Sequence, residues 1–144
     1  MKRYWIIFIL IFILAAILVY LLIFFLFFSS TPEIAQDTVV NVIDGDTLEV
    51  YDNGSIQIVR LLCVDTPEKN QTGYEEAKIF LQSEVLGKQI VLQSSITDKD
   101  NYGRLLRYVY VNESGNMIFI NKLIIDRSYG TLFIVPPEEC KGLN

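Results

Sequence analysis

Arg60-Leu61-Leu62-Cys63-Val64-Asp65-Thr66-Pro67-Glu68 places charged groups inside an otherwise apolar strand and ends it in an Asp-initiated turn. Carboxylates and guanidinium groups are costly to bury without partners, so the stretch calls for residues elsewhere to complete it. Asp44-Gly45-Asp46-Thr47 lies before it and Tyr102-Gly103-Arg104 after it. Acids and arginines spread over three segments point to one shared site. Carboxylates hold a hard cation and activate a water, and Arg grips a phosphate with a planar fork. The combination reads as metal-assisted phosphodiester hydrolysis.

Working outward, Thr38 to Ile43 and Thr47 to Tyr51 are short β-branched or alternating runs either side of Asp44-Gly45-Asp46, which predicts two strands. Asp52-Asn53-Gly54 is a hairpin signal. Ser55 to Val64 reads as a third strand, with Ile56 and Ile58 alternating with Ser55 and Gln57. Thr72-Gly73-Tyr74-Glu75 fits a capping box. Ala77, Phe80, Leu81 and Val85 then share one helix face, and Gly87 is placed to end the helix. Gln89 to Ile96 and Leu105 to Val111 are further strands around the polar loop Thr97-Asp98-Lys99-Asp100-Asn101. Ile120 to Ser128 reads as a short helix and Thr131 to Val135 as a last extended piece. The fold class is mainly β with helices (α+β): a five-stranded OB-fold barrel with packed helices.

An appendage precedes the barrel. Met1-Lys2-Arg3 is followed by an uncharged apolar run from Tyr4 to Phe28. About 20 such residues cross a bilayer as a helix, so residues 4–28 are expected to be a single transmembrane helix in contact with the lipid bilayer. A cleaved signal is the second reading, although its apolar core is usually about 7–15 residues long. Lys2 and Arg3 put residues 1–3 in the cytoplasm by the positive-inside rule. Residues 29–37 are then a linker, and the domain of residues 38–144 faces outward, or is secreted if the run is cleaved. A monomer is expected.

The chain carries 12 basic and 17 acidic residues and no His. Without Lys2 and Arg3, ten basic residues face 17 acidic ones, a charge of −7. Nucleic-acid binders usually show a basic surface, so the balance favours a catalyst with a local cationic site over a module that coats nucleic acid. The absence of His excludes His general bases, Ser-His triads and His-ligated metals. Cys63 reads as a small core residue; pairing with Cys140 is open outside the cytosol.

These residues resemble the staphylococcal nuclease (thermonuclease) family from about Val39 to about Pro136. Asp-Gly-Asp-Thr is a weak signal by itself. Arg-Leu-Leu-x-Val-Asp-Thr-Pro-Glu is a specific one, and Tyr-Gly-Arg and Ile-Asn-x-x-Leu-Ile follow at the expected places. The resemblance implies a calcium-dependent nuclease that cleaves DNA and RNA to 3′-phosphates. It implies that Asp46, Asp65 and the Thr66 carbonyl hold Ca²⁺, with Asp44 a further acid nearby. Glu68 would be the general base, Arg60 and Arg104 the catalytic phosphate clamps, and Tyr102 part of the nucleotide site. The sequence departs from the family in three places. The loop after Glu68 is short and weakly basic, Ile134-Val135-Pro136 stands where tyrosines are usual, and the family's C-terminal helix is not evident before Asn144.

Each residue also has an ordinary explanation. Asp44-Gly45-Asp46 and Asp65-Thr66-Pro67 are turn chemistry. Glu68 can be a solvated loop residue, Arg60 half of an ion pair, Arg104 a surface residue and Tyr102 a rim aromatic. A catalytically silent nucleic-acid-binding module of the same fold is the alternative function.

Overall fold

A computed structural model describes residues 2–28, 37–140 and 142–143 of the chain. Most of the expected linker, residues 29–36, lies outside the described residues. The chain forms two compact units, Met1–Glu33 and Ile34–Asn144. The first is a helix, α1 (Lys2–Phe28). Among the described residues no helix is long and apolar enough to cross a membrane. The transmembrane expectation therefore gains no support from the structure.

The second unit is a curled, mixed sheet with two packed helices, consistent with an OB-fold. Its elements are β1 (Thr38–Val42), β2 (Thr47–Asp52), β3 (Ser55–Leu61), β4 (Val64–Asp65), α2 (Tyr74–Val85), β5 (Ile90–Gln93), β6 (Leu105–Glu113), β7 (Asn116–Phe119), α3 (Ile120–Asp126) and β8 (Thr131–Leu132). The sheet order is β1-β2-β3-β6-β5, with β7 also on β6 and β4 paired with β8 in a separate ribbon. The far edges meet where Thr38 bridges Gln89 and Val39 N donates to Lys88 O at 3.1 Å.

Local chemistry explains most boundaries. Asn53 and Gly54 both have positive φ (46° and 83°), as a two-residue hairpin with right-handed strands requires. The α2 start differs from the expected capping box. Gly73 is the N-cap, at φ 93°, and no side chain caps the helix, so Thr72 does not serve as the cap. Its end agrees with the sequence: Leu86 N closes on Gln82 O at 3.1 Å and Gly87 follows at φ 72°. Ala77, Leu81 and Val85 are buried, and Phe80 stacks on Tyr129 with ring centroids 4.2 Å apart.

Two expectations for the third strand are corrected. It stops at Leu61, because the chain turns through Cys63 at φ 62° before β4 begins. Its inner face is Val59 and Leu61, while Ile56 and Ile58 are exposed on the outer face. Arg60 shares that outer face, since side chains alternate along a strand. Its charge is therefore not embedded among core side chains.

The core is formed by Leu48, Val50, Val59, Leu61, Leu81, Val85, Val109, Val111, Ile120, Ile124 and their neighbours. Asn121 is fully buried at the point where β3 leaves β6. Its Oδ1 accepts from Val109 N at 2.8 Å and its Nδ2 donates to Leu62 O at 2.9 Å. One side-chain amide thus supplies the pairing that backbone would otherwise lose, which is a physical reason for Asn in the Ile-Asn-x-x-Leu-Ile helix.

A second apolar cluster joins Leu62, Cys63, Tyr108, Cys140 and Leu143. Within it Cys63 and Cys140 form a disulfide, Cα–Cα 5.7 Å, across a sequence separation of 77. Cys63 is thus a turn residue and a cross-link, not a strand residue with a free thiol.

Candidate active site

Strand register positions the central groups. Arg60 on β3 pairs with Thr47 on β2 and with Leu106 on β6, and Leu61 N donates to Asp46 O at 2.8 Å. Asp46 therefore enters from one side of β3 and Arg104 from the other.

Asp46 is 5% exposed. Its Oδ1 accepts from Thr47 Oγ1 at 3.1 Å and pairs with Arg60 Nη1 at 3.1 Å. Its Oδ2 accepts from Thr66 N at 3.0 Å and Thr66 Oγ1 at 2.9 Å. Burial raises its pKa, and Asp44 adds to this. Arg60 and Thr66 oppose them, and the carboxyl is pushed up to about 6. Asp44 Oδ1 accepts from Asp46 N at 3.1 Å, so Asp44 closes the turn that presents Asp46.

Arg60 is held at several points. Nη1 donates to Leu61 O at 3.0 Å and Val64 O at 2.7 Å, and Nη2 reaches Asp65 Oδ1 at 3.5 Å. The ion-pair reading of Arg60 is thus what the structure shows, with Asp46 and Asp65 as its partners. Asp65 is exposed, and Thr66 is buried beside Asp46. Thr66 donates both its amide and its hydroxyl to Asp46.

Two glycines that sequence reasoning passed over make room for Thr66. A Cβ on Gly45 would meet Thr66 Oγ1 at 2.7 Å and Ala77 Cβ at 2.8 Å. A Cβ on Gly130 would meet the Asp65 carbonyl at 2.9 Å and Thr66 Cγ2 at 3.0 Å. Gly45→Ala is expected to cost about 1–3 kcal/mol through overpacking. It should also disturb the Thr66–Asp46 bonds, which a thermal melt and an activity assay on the full chain would register together.

On the other side, Asp100 organises a tight turn. Its Oδ1 accepts from Tyr102 N at 3.0 Å and Arg104 N at 2.9 Å, and its Oδ2 accepts from Arg104 Nε at 2.7 Å. Burial acts to raise the Asp100 pKa, but these hydrogen bonds and the Arg104 charge outweigh it and hold the carboxyl low. Gly103 at φ 83° allows the turn to close. Tyr102 is 86% exposed, and the Arg104 guanidinium lies 5.5 Å from its ring centroid. Asp100 was legible only as a loop residue, although its spacing of four from Arg104 could have suggested the pair. Arg107 has Asp98 as its partner at 2.7 Å and is largely buried, so it is not the ordinary surface arginine its strand position suggests.

A cleft of about 320 Å³ opens between these elements, lined by Arg60, Lys99, Arg104, Phe133, Val135 and Glu138 among others. The structure therefore brings the two arginines to one cavity. It does not tie Glu68 to them: that side chain is exposed, and its amide donates to Gln71 Oε1 at 2.8 Å. Among the described residues there is no group of three or more acidic or Cys side chains that could hold a metal ion. The oxygen chemistry of Asp46, Asp65 and Asp44 fits a hard cation. However, a carboxylate offers about four lone-pair sites, and four protein contacts already reach Asp46.

The sequence pattern of staphylococcal nuclease homologues matches residues 58–139, more than half of the chain. The chain belongs to the staphylococcal nuclease homologue family. Among the proteins similar to this nuclease homologue is a thermonuclease of Staphylococcus hyicus, 37% identical over 91 residues, covering 59% of this chain and 52% of that one. An uncharacterized endonuclease of Escherichia coli is 35% identical over 94 residues, 63% of this chain and 60% of that one. An uncharacterized protein of Methanocaldococcus jannaschii is 33% identical over 131 residues, 74% of this chain and 63% of that one. This nuclease homologue spans less than two thirds of the length of each of these relatives. Its matched segment starts at Ile58, so it contains both arginines, Asp65 and Glu68, while Asp44 and Asp46 precede it.

Proposed function

We propose that this domain hydrolyses phosphodiester bonds in DNA and RNA. The single observation that carries the reading is the cleft lined by both Arg60 and Arg104, in a chain of a nuclease family with one relative named an endonuclease and another a thermonuclease. Two guanidinium forks facing one cavity suit a phosphate whose charge grows as it is attacked. Asp46 and Asp65 converge on Arg60 at the edge of that cleft and are the proposed ligands of calcium, with the Thr66 carbonyl. When bound, the cation would supply charge neutralisation at the phosphate and acidify a water. Asp44 holds the Asp46 turn closed, and exposed Glu68 takes a proton from the attacking water. Tyr102, with its ring open to solvent, offers a face on which a base can stack.

For a cation to reach Asp46, one of the four protein contacts must yield. The Arg60 contact is the one whose release would leave a guanidinium free for substrate. Calcium is expected to support cleavage of denatured DNA by the full chain in detergent, and EDTA to abolish it. Cleavage that persists in EDTA would remove the metal from the mechanism. A second reading, a binding module without catalysis, is favoured by the saturated Asp46 carboxylate. It would be established by nucleic-acid binding with no cleavage at any calcium concentration.

We also propose that residues 4–28 anchor the protein in a bilayer with the nuclease domain outward. The reading is supported by the uncharged run itself and by Lys2 and Arg3 ahead of it. Protease added to intact cells should then digest the domain. Protection from protease, or recovery of a shortened chain in the medium, would exclude an outward anchor.

A further inference from the structure

We infer that Glu138 is a positioning residue that sets the Arg104 side of the cleft, an inference that rests on the cleft being the site of hydrolysis. Glu138 is 7% exposed yet lines the same cavity as Arg60, Lys99 and Arg104. Its Oε1 accepts from Thr97 N at 2.8 Å, and its Oε2 is buried with no hydrogen-bond partner among the described residues. Burial acts to raise its pKa, but hydrogen bonding from residues 95–97 outweighs it and holds the carboxyl below its usual range. A buried carboxylate anion is costly. Packing alone gives no reason for it, since the neighbouring apolar cluster of Leu62, Tyr108, the disulfide and Leu143 fastens the tail without help from Glu138.

What Glu138 does hold is the start of the loop that ends in Arg104. The loop is docked on the barrel by Asp98, whose carbonyl accepts from Leu106 N at 2.9 Å and whose Oδ1 pairs with Arg107 at 2.7 Å. Asp100 then sets Arg104. Thr97, at the neck, is fixed by Glu138, which comes from a different segment. That segment is itself tied down on both sides. Phe133 N donates to Cys63 O at 3.1 Å, and Cys140, two residues past Glu138, is covalently joined to Cys63. Cys63 in turn immediately precedes β4, which carries Asp65. The tail is thus a strap between the acidic and the arginine sides of the cleft, and Glu138 is its contact with the arginine side.

The test compares the full chain in detergent with Glu138→Ala and Glu138→Gln. Three quantities are read: kcat and KM on a short single-stranded oligonucleotide, hydrogen exchange of the peptide spanning 95–104, and the melting temperature. A side-chain amide keeps one oxygen acceptor for Thr97 N, so the Gln variant is expected to stay within about threefold of wild type, and Ala is expected to lower kcat about 10–100-fold, the scale of an ångström-level misplacement. Ala should also speed exchange across 95–104 while most of the melting temperature is retained. Unchanged exchange and kcat in the Ala variant would overturn the inference, as would equal losses in Ala and Gln. If wild-type protein cleaves nothing, the hydrolysis reading falls by itself, and the exchange comparison still decides whether Glu138 sets the loop.

Discussion

Replacing Arg104 by alanine is expected to lower kcat/KM on denatured DNA by about 10²–10³-fold, the usual cost of one preorganised contact to developing charge. Arg104 is the cleaner of the two arginines to remove. Its partner Asp100 keeps its hydrogen bonds from the Tyr102 and Arg104 amides, and the lost ion pair is partly solvated, a class that contributes about 0.2–1 kcal/mol. The fold should therefore survive, and melting should show it. Arg60→Ala is a poorer probe. It strips a buried Asp46 of its ion pair, a break of the kind that costs about 3–5 kcal/mol, so lost activity would not separate chemistry from unfolding. Arg104→Lys is informative as well. A point charge lacks the planar fork, so it should recover only a small part of the rate. Activity of Arg104→Ala within threefold of wild type, with an unchanged melt, would remove Arg104 from the mechanism.

Cys140→Ser is expected to destabilise the domain by about 2–5 kcal/mol, the range for loss of a native disulfide. The bond closes a loop with a sequence separation of 77, long enough that much of the effect comes from the greater freedom of the unfolded chain. It also pins Leu143 and Tyr108 into their small apolar cluster. At about 4–8 °C per kcal/mol for a domain of this size, the melting temperature should fall by about 10 °C or more. Wild-type protein treated with a dithiol should melt with the variant, since both then lack the cross-link. A wild-type melt insensitive to reductant, or a variant that melts with oxidised wild type, would show that the disulfide contributes little.

The chain's own pattern carried a good deal. Asn53-Gly54 marked the hairpin because left-handed backbone selects those residue types. The Ala77, Leu81 and Val85 face marked α2 because burial repeats with the helical period. The charged interruptions at Asp46, Asp65 and Arg60 marked a place where side chains must find partners, because buried charge is expensive. Errors arose where pairing between distant segments decides the outcome. Alternation marks Ile56 and Ile58 as sharing one face of β3, but strand register makes Val59 and Leu61 the inner face and leaves those two isoleucines exposed. Thr72 has the composition of a cap, but Gly73 takes the turn. Cys63 reads as a strand residue until the positive φ and Cys140 place it in a cross-linked turn.

The same division applies to the site. Residue type and order determined the family, the curled α+β domain and the list of acids and arginines, since these depend on local pattern and on the cost of charge in apolar surroundings. Only the tertiary structure decided which groups meet. It pairs Arg60 with Asp46 and Asp65, sets Arg104 through Asp100, and leaves Glu68 at the surface. It also folds a buried Glu138 and a disulfide-tethered tail into the wall of the cleft. Those contacts join residues far apart in the chain, and their geometry follows from register and packing rather than from any local preference.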